Sequence, residues 1–119
     1  VYLSKREREI IRDKFKGRCA YCGCVLGLKW HVDHIDPVIR DKGTALHPNR
    51  HNIDNLWPSC PPCNIDKSRM SIDAWREWLV LHVTNLRRKA SYRNAVRFGL
   101  IAETEKPVQF YFEKKTPKD

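Results

Sequence analysis

The stretch Trp30-His31-Val32-Asp33-His34-Ile35-Asp36-Pro37 puts two histidines and two aspartates within six residues. A neutral imidazole, with a pKa near ~6.5, can take a proton from water at working pH. Carboxylates hold divalent cations. The stretch therefore carries groups for proton transfer and for metal binding side by side. Downstream, Asn55-Leu56-Trp57-Pro58-Ser59-Cys60-Pro61-Pro62-Cys63-Asn64-Ile65-Asp66-Lys67 adds further amide, thiol and amine groups.

A second chemistry lies in the cysteines. Cys19-x-x-Cys22 and Cys60-x-x-Cys63 form two knuckles separated by 37 residues. Two such pairs in a short chain point to a tetrahedral zinc ion, because each knuckle presents two thiolates at the bite that ~2.3 Å Zn–S bonds require. A four-thiolate site leaves no open position for substrate, so its expected role is structural. It would supply folding energy that the core of a 119-residue chain lacks. Five cysteines is an odd number, which disfavours the competing reading of disulfides and implies a reducing compartment. Cys24 is left over as a free thiol, with exchange for Cys22 as ligand the alternative.

These groups need elements to position them. Ser4-Lys5-Arg6-Glu7 reads as a capping box opening a helix to Phe15 or Lys16, with Ile10, Ile11 and Phe15 inward and Gly17 ending it. Leu28–Val32 alternates as a short strand. Pro37 to Asn55 is polar and reads as a long loop, in which His47 and His51 read first as solvated, with an approach to DNA or the metal the alternative. Asn55–Trp57 suggests a second strand. A short helix is expected from about Pro61 to Arg69, since early prolines are tolerated there. Ile72, Trp75, Leu79, His82, Val83 and Leu86 recur at helical spacing behind Ser71 as cap. A further helix is expected over Ser91–Phe98, and a last strand where Val108, Phe110 and Phe112 alternate. The tail from Thr116 is expected to fray. Trp30, Trp57 and Trp75 read as core, with Trp78 off the apolar stripe and His82 a core histidine.

The order CxxC, Asp-His-Ile-x-Pro, Asn-Leu, CxxC-Asn-x-x-Lys resembles the HNH endonucleases over roughly residues 10–70. The namesake positions are His34, Asn55 and Asn64, the last an asparagine, as in many members. The resemblance implies an α+β fold with a ββα-metal core and a four-cysteine zinc site, flanked by an N-terminal helix and C-terminal helices. It implies hydrolysis of phosphodiester bonds, with His34 as general base and a single Mg²⁺ or Mn²⁺ held by Asp33 and Asn64. Asn55 would hold the long loop and orient the base. Lys67, one turn beyond Asn64, could reach a phosphate, with a solvated surface lysine the equal alternative. Zinc-stapled members are common among phage and mobile-element nucleases. His31 shares a strand face with Asp33; a phosphate contact, a third metal ligand and a hydrogen-bonded edge histidine all remain open for it. Asp36 is expected to cap the turn at Pro37.

The formal charge of +9 is unevenly spread. Residues 1–18 hold seven Lys/Arg against three acids, 19–83 seven against seven, and 84–119 nine against four. Basic flanks around a neutral centre suit a polyanion partner. Arg87 and Arg88 lead a basic run, continued by Lys89, Arg93 and Arg97, that is expected to grip the DNA backbone. Duplex DNA is the expected substrate; RNA stays open because the backbone chemistry does not choose the sugar. A double-strand cut would require a dimer, a partner or two nicks. No apolar run approaches the ~18 residues of a membrane span, and Val1–Arg6 shows no signal-peptide pattern, so an intracellular, bacterial or phage-encoded protein is expected. One domain is expected over 1–119, with a motif core at about 17–70 and a basic helical extension at about 71–119. Two other classes compete: a noncatalytic zinc-knuckle module that binds nucleic acid, and a zinc-scaffolded protein-interaction domain.

Overall fold

The computed structural model describes residues 3–38 and 40–114. The chain divides into two compact units, residues 1–72 with 109–119, and residues 73–108.

In the first unit, α1 (Lys5–Asp13) opens on the expected capping box. The Ser4 hydroxyl accepts from the Glu7 amide at 3.1 Å, and the Glu7 carboxylate accepts from the Ser4 amide at 3.0 Å. These bonds, first that from the Ser4 backbone, hold the Glu7 carboxyl below its ordinary range. Ile11 and Phe15 are buried as expected, but Ile10 lies on the exposed side. The chain reverses at Lys16 and Gly17, both with positive φ.

The central sheet pairs β1 (His31–His34) antiparallel with β4 (Leu56–Ser59), aligning Asp33 with Trp57 and His34 with Leu56. Both strands start later than the alternation suggests, and Leu28 is fully exposed. Pro58 is tolerated inside β4 for a geometric reason. Its carbonyl accepts from the Ala20 amide at 2.9 Å, so its backbone faces away from β1 and its missing N–H interrupts no ladder bond.

Between these strands the expected structureless loop is built. β2 (Arg40–Asp41) pairs with β3 (Thr44–Ala45) around Lys42-Gly43. Both turn residues have positive φ, the signature of a two-residue turn matched to strand twist. Two 3-10 turns follow, Pro48–Arg50 and Ile53–Asn55. α2 (Pro61–Lys67) then starts behind Cys60 with proline in its first positions, completing a ββα unit.

The expected last strand is absent. Residues 111–114 form a helical turn, here α5 in chain order, whose amides at Tyr111 and Phe112 donate to the carbonyls of Tyr21 and Ala20 at 2.8 and 2.9 Å. The aromatics alternate because they fill a cluster, not a sheet face: Tyr21 meets Phe110 and Phe112 edge-on, and Trp57 lies against Phe15 and Phe112. Gly23 is required beneath them. It has φ +80°, and a Cβ there would come within 2.7 Å of the Tyr111 ring. The expected fraying from Thr116 lies outside the described residues.

The second unit holds most of α3 (Ile72–Leu86) and all of α4 (Ala90–Arg97), ending at Gly99 with φ +77°. Trp75 is buried, but Val80, Leu81, Val83 and Leu86 are exposed, so the apolar stripe is only partly covered. His82 is half-buried and packs edge-on against Trp78. No helix among the described residues is long and apolar enough to cross a membrane.

Candidate active site and cysteine cluster

The ligand atoms of Cys19, Cys22, Cys60 and Cys63 all lie within 4.8 Å of one another. The Cys22 and Cys60 sulfurs are 3.7 Å apart. A tetrahedral ion with ~2.3 Å Zn–S bonds sets its sulfurs about 3.8 Å apart, so the spacing fits zinc. The knuckle is shaped by its backbone: the Cys19 amide donates to the Cys24 carbonyl, and the Gly23 amide to the Cys19 carbonyl. Crowding moves the thiols apart in acidity. The hydrogen bond with Cys63 is the main force holding Cys19 down to about 4, while the same bond and burial push Cys63 far up. Cys24 is exposed and stands outside the quartet.

Beside this cluster, Asp33 is buried on β1 and receives three side chains. Asn64 and Lys67 share one face of α2 at i, i+3. Asn64 Nδ2 lies 3.3 Å from Asp33 Oδ1, and Lys67 Nζ lies 3.0 Å from Oδ2. Tyr21 O–H also donates to Oδ2. Burial, then the Asp33 charge, pushes the Tyr21 phenol far above its ordinary range, so it remains a donor.

Lys67 is the clearest departure from expectation. It is not at the surface near a phosphate but fully buried, and it also donates to the His34 carbonyl at 2.8 Å. A buried carboxylate requires a compensating cation, and the ammonium of Lys67 is that cation. The exposed cation at the site is Arg69, which no sequence motif singles out. Arg69 lines a cavity of about 360 Å³ together with Val32, Asp33, His34, Asn64 and Ser68. Ser68 ends α2 at φ 50° and ψ −125°, a backbone turn that brings Arg69 to this cavity.

The cavity thus gathers His34, Asp33 and Asn64, three residues separated by up to 31 positions in the chain. The donor set suits a hard divalent cation. Two neighbouring oxygens on an octahedral ion with ~2.1 Å bonds lie about 3 Å apart, close to the 3.3 Å between Asp33 Oδ1 and the Asn64 amide. The Asn64 amide presents oxygen instead of nitrogen by rotating half a turn.

Asn55 closes the intervening segment on itself. Its Nδ2 donates to the carbonyls of Asp36 and Arg50 at 2.9 and 2.6 Å, and its Oδ1 accepts from the Asp36 amide at 2.9 Å. This clamp carries His51 to His34, with Nδ1 of His51 2.7 Å from Nε2 of His34. Nothing in the spacing of the sequence marks His51, because it reaches the site only through a folded loop.

The expected nucleic-acid contacts fall in both units. His31 is exposed at the start of β1. Arg88 is exposed after α3. Arg87 is not a free cation: its guanidinium makes a two-pronged bond to the Glu103 carboxylate at 3.0–3.2 Å, which lowers the Glu103 pKa.

Residues 19–69 match the family model for HNH endonuclease. The matched segment contains both cysteine pairs, Asp33, His34, Asn55, Asn64 and Lys67, and the resemblance read from the motifs is borne out there. The α+β class, with a small antiparallel sheet and a cysteine cluster suited to zinc, is likewise borne out. No curated protein matches the chain. Among solved structures, it is similar to the Type II-C Cas9 enzyme from Actinomyces naeslundii, at 25% identity and a TM-score of 0.49. That likeness covers 65% of this chain and 8% of the Cas9 chain, so this protein spans under a tenth of the length of that one.

Proposed function

We propose that the chain is a metal-dependent endonuclease that hydrolyses phosphodiester bonds in DNA. The observation that carries this reading is the single cavity lined by His34, Asp33, Asn64 and Arg69 on a ββα unit within the HNH-matching segment. A binding module needs no imidazole beside a carboxylate–amide pair in a cavity.

A divalent cation, Mg²⁺ or Mn²⁺, would be held by Asp33 Oδ1 and Asn64 and supplies charge stabilisation at the scissile phosphate and leaving oxygen. His34 takes a proton from the attacking water. The water oxygen bonds to phosphorus, the bond to the leaving sugar oxygen breaks, and that oxygen is protonated by solvent. Lys67 and Tyr21 fix the Asp33 carboxyl group in place. Arg69 replaces Lys67 as the phosphate contact, and Arg88 and the basic flanks add contacts to the backbone. The cysteine quartet holds structural zinc. One active site cuts one strand, so double-strand cleavage would need a second copy or a second nick.

The noncatalytic nucleic-acid-binding reading draws on one observation, the commitment of Asp33 Oδ2 to Tyr21 and Lys67. Cleavage of labelled duplex and RNA oligonucleotides by Asn64→Ala separates the two readings. The nuclease reading expects the Mg²⁺ needed for half-maximal cleavage to rise at least about tenfold, as loss of one ligand demands. An unaltered metal requirement, or no cleavage by the unaltered chain, contradicts it.

A further inference from the structure

The turn that ends α4 holds two large apolar side chains out in solvent. Phe98 is 77% exposed and Leu100 is 80% exposed. The backbone beneath them is closed on itself. The Gly99 amide donates to the Val96 carbonyl at 3.0 Å, and the Leu100 amide to the Ala95 carbonyl at 2.8 Å, with Gly99 at φ +77°. In this kind of helix ending, the residue after the glycine ordinarily packs back on a side chain three or four positions before the cap. Phe98 is the cap, so those positions are Ala95 and Asn94. One is too small and the other too polar to cover a leucine. The turn is therefore rigid in its backbone and uncovered in its side chains.

The chain around it is basic. From Arg88 to Ala102 it carries four Lys/Arg and no acid. Lys89, Arg93 and Arg97 recur every fourth residue and so share a helix face, and all three are exposed, as is Arg88. Arg93 donates to the Arg87 carbonyl at 2.9 Å and Arg97 to the Asn94 side-chain oxygen, both uncharged acceptors. Arg93 and Arg97 line a cavity of about 310 Å³ together with Tyr92 and Val96. Glu103 also lines it, but its carboxylate is engaged by Arg87 and Tyr92.

The charge calls for a polyanion. Among polyanions, nucleic acid places flat apolar base faces beside its phosphates, which suits apolar side chains set next to guanidinium groups. A lipid surface takes up a whole apolar helix face, whereas α4 presents arginines along its exposed side. We propose that the Phe98-Gly99-Leu100 turn is a nucleic-acid wedge, in which Phe98 and Leu100 enter a base step while Arg93 and Arg97 hold adjoining phosphates. This deepens the nuclease reading and rests on it for the choice of partner. Insertion must unstack the step it enters, so the favoured substrate class is DNA with a step already open, such as a bulge.

Fluorescence anisotropy of the zinc-loaded full chain, without Mg²⁺ so that no strand is cut, compares a fully paired duplex with the same duplex carrying a central bulge. The bulged duplex should bind about tenfold more tightly. Phe98→Ala with Leu100→Ala should remove that preference and weaken binding to the bulge about tenfold or more. The slope of log affinity against log salt should stay unchanged, because no phosphate contact is lost. Arg97→Ala should lower the slope by about 1 and keep the preference. Phe98→Trp, which retains an aromatic face, should keep both. Equal affinity for the two duplexes, or a preference unmoved by the double variant, overturns the proposal. So does a double variant that changes the mass of the chain in sedimentation, which assigns the turn to a second copy. Binding to phosphatidylserine-containing vesicles that disappears in the double variant, with DNA affinity unmoved, assigns it to a membrane and likewise overturns the proposal. A Phe98-dependent preference in a chain that cleaves nothing with Mg²⁺ contradicts the nuclease reading and supports the wedge. Cleavage without that preference overturns the wedge alone.

Discussion

The ammonium of Lys67 lies 3.0 Å from Oδ2 of Asp33, and both side chains are buried, with only Asp33 reaching the cavity beside it. A charge pair of this kind is sensitive to the loss of one partner, because the survivor stays buried and uncompensated. Lys67→Ala should cost about 3–5 kcal/mol in urea denaturation, a large share of the roughly 5–15 kcal/mol that holds a domain folded. Lys67→Arg should lose stability too, for want of space around a fully buried side chain. A drop under about 1 kcal/mol would show that the pair does not act as a buried charge pair in the folded chain.

The basic run after α3 has a different signature. Arg88 is exposed, whereas Arg87 is held by Glu103. Replacing Arg88 with alanine should reduce the slope of log affinity for DNA against log salt by about 1. Arg87→Ala should move the slope less, because that guanidinium is already neutralised within the protein. Fluorescence anisotropy over a salt series measures both.

The zinc assignment predicts one tightly bound zinc per chain. Chelation, or Cys60→Ser, should lower the melting temperature sharply and melt the aromatic cluster beside the knuckle, because metal binding and folding are linked at such sites. Cys24→Ser should leave zinc content unchanged, since Cys24 stands outside the quartet. Metal analysis with thermal melts reads both outcomes.

Asn55 should matter through its amide. Asn55→Asp keeps the oxygen that accepts from Asp36 but loses both donated bonds, to Asp36 and Arg50. Each lost bond costs on the order of 1 kcal/mol. The larger effect should be on cleavage, because the clamp on Arg50 sets His51 against His34. A folded Asn55→Asp with unaltered kcat would show that the loop geometry does not reach the base.

Much of this site was legible in the sequence because its residues are tied to short, local patterns. The capping box at Ser4 and the proline-led start of α2 each depend on neighbours within four residues. The cysteine quartet was equally legible, because the bite of each knuckle is set by two intervening residues. What was not legible depends on distance in the chain. Lys67 looked like a surface lysine because nothing local shows that Asp33, 34 positions earlier, needs a cation. His51 looked solvated because the loop is organised by a hairpin and by Asn55, not by periodicity. The alternation of Val108, Phe110 and Phe112 suggested a strand, but the rings fill an aromatic cluster while the backbone coils.

Tyr21 supplies a pH test. Its phenol is pushed up, first by burial and then by the Asp33 charge. The unfolded chain releases this proton near pH ~10 and the folded chain does not. The contribution is therefore complete below pH ~10 and lost above it, by about 1.4 kcal/mol per pH unit. Tyr21→Phe should be less stable at neutral pH by about 1–3 kcal/mol, for loss of a bond to a charged group. It should also decline less steeply than the unaltered chain above pH ~10. Parallel alkaline slopes would contradict the assignment.

Conversion of supercoiled plasmid by the purified chain tests the central reading most directly, with Mg²⁺, Mn²⁺ or EDTA and beside His34→Ala. The expected result is nicked product with either metal, none with EDTA, and at least about a hundredfold loss in His34→Ala while DNA affinity is retained. Absence of cleavage by folded, zinc-loaded protein under either metal, or undiminished cleavage by His34→Ala, would contradict it.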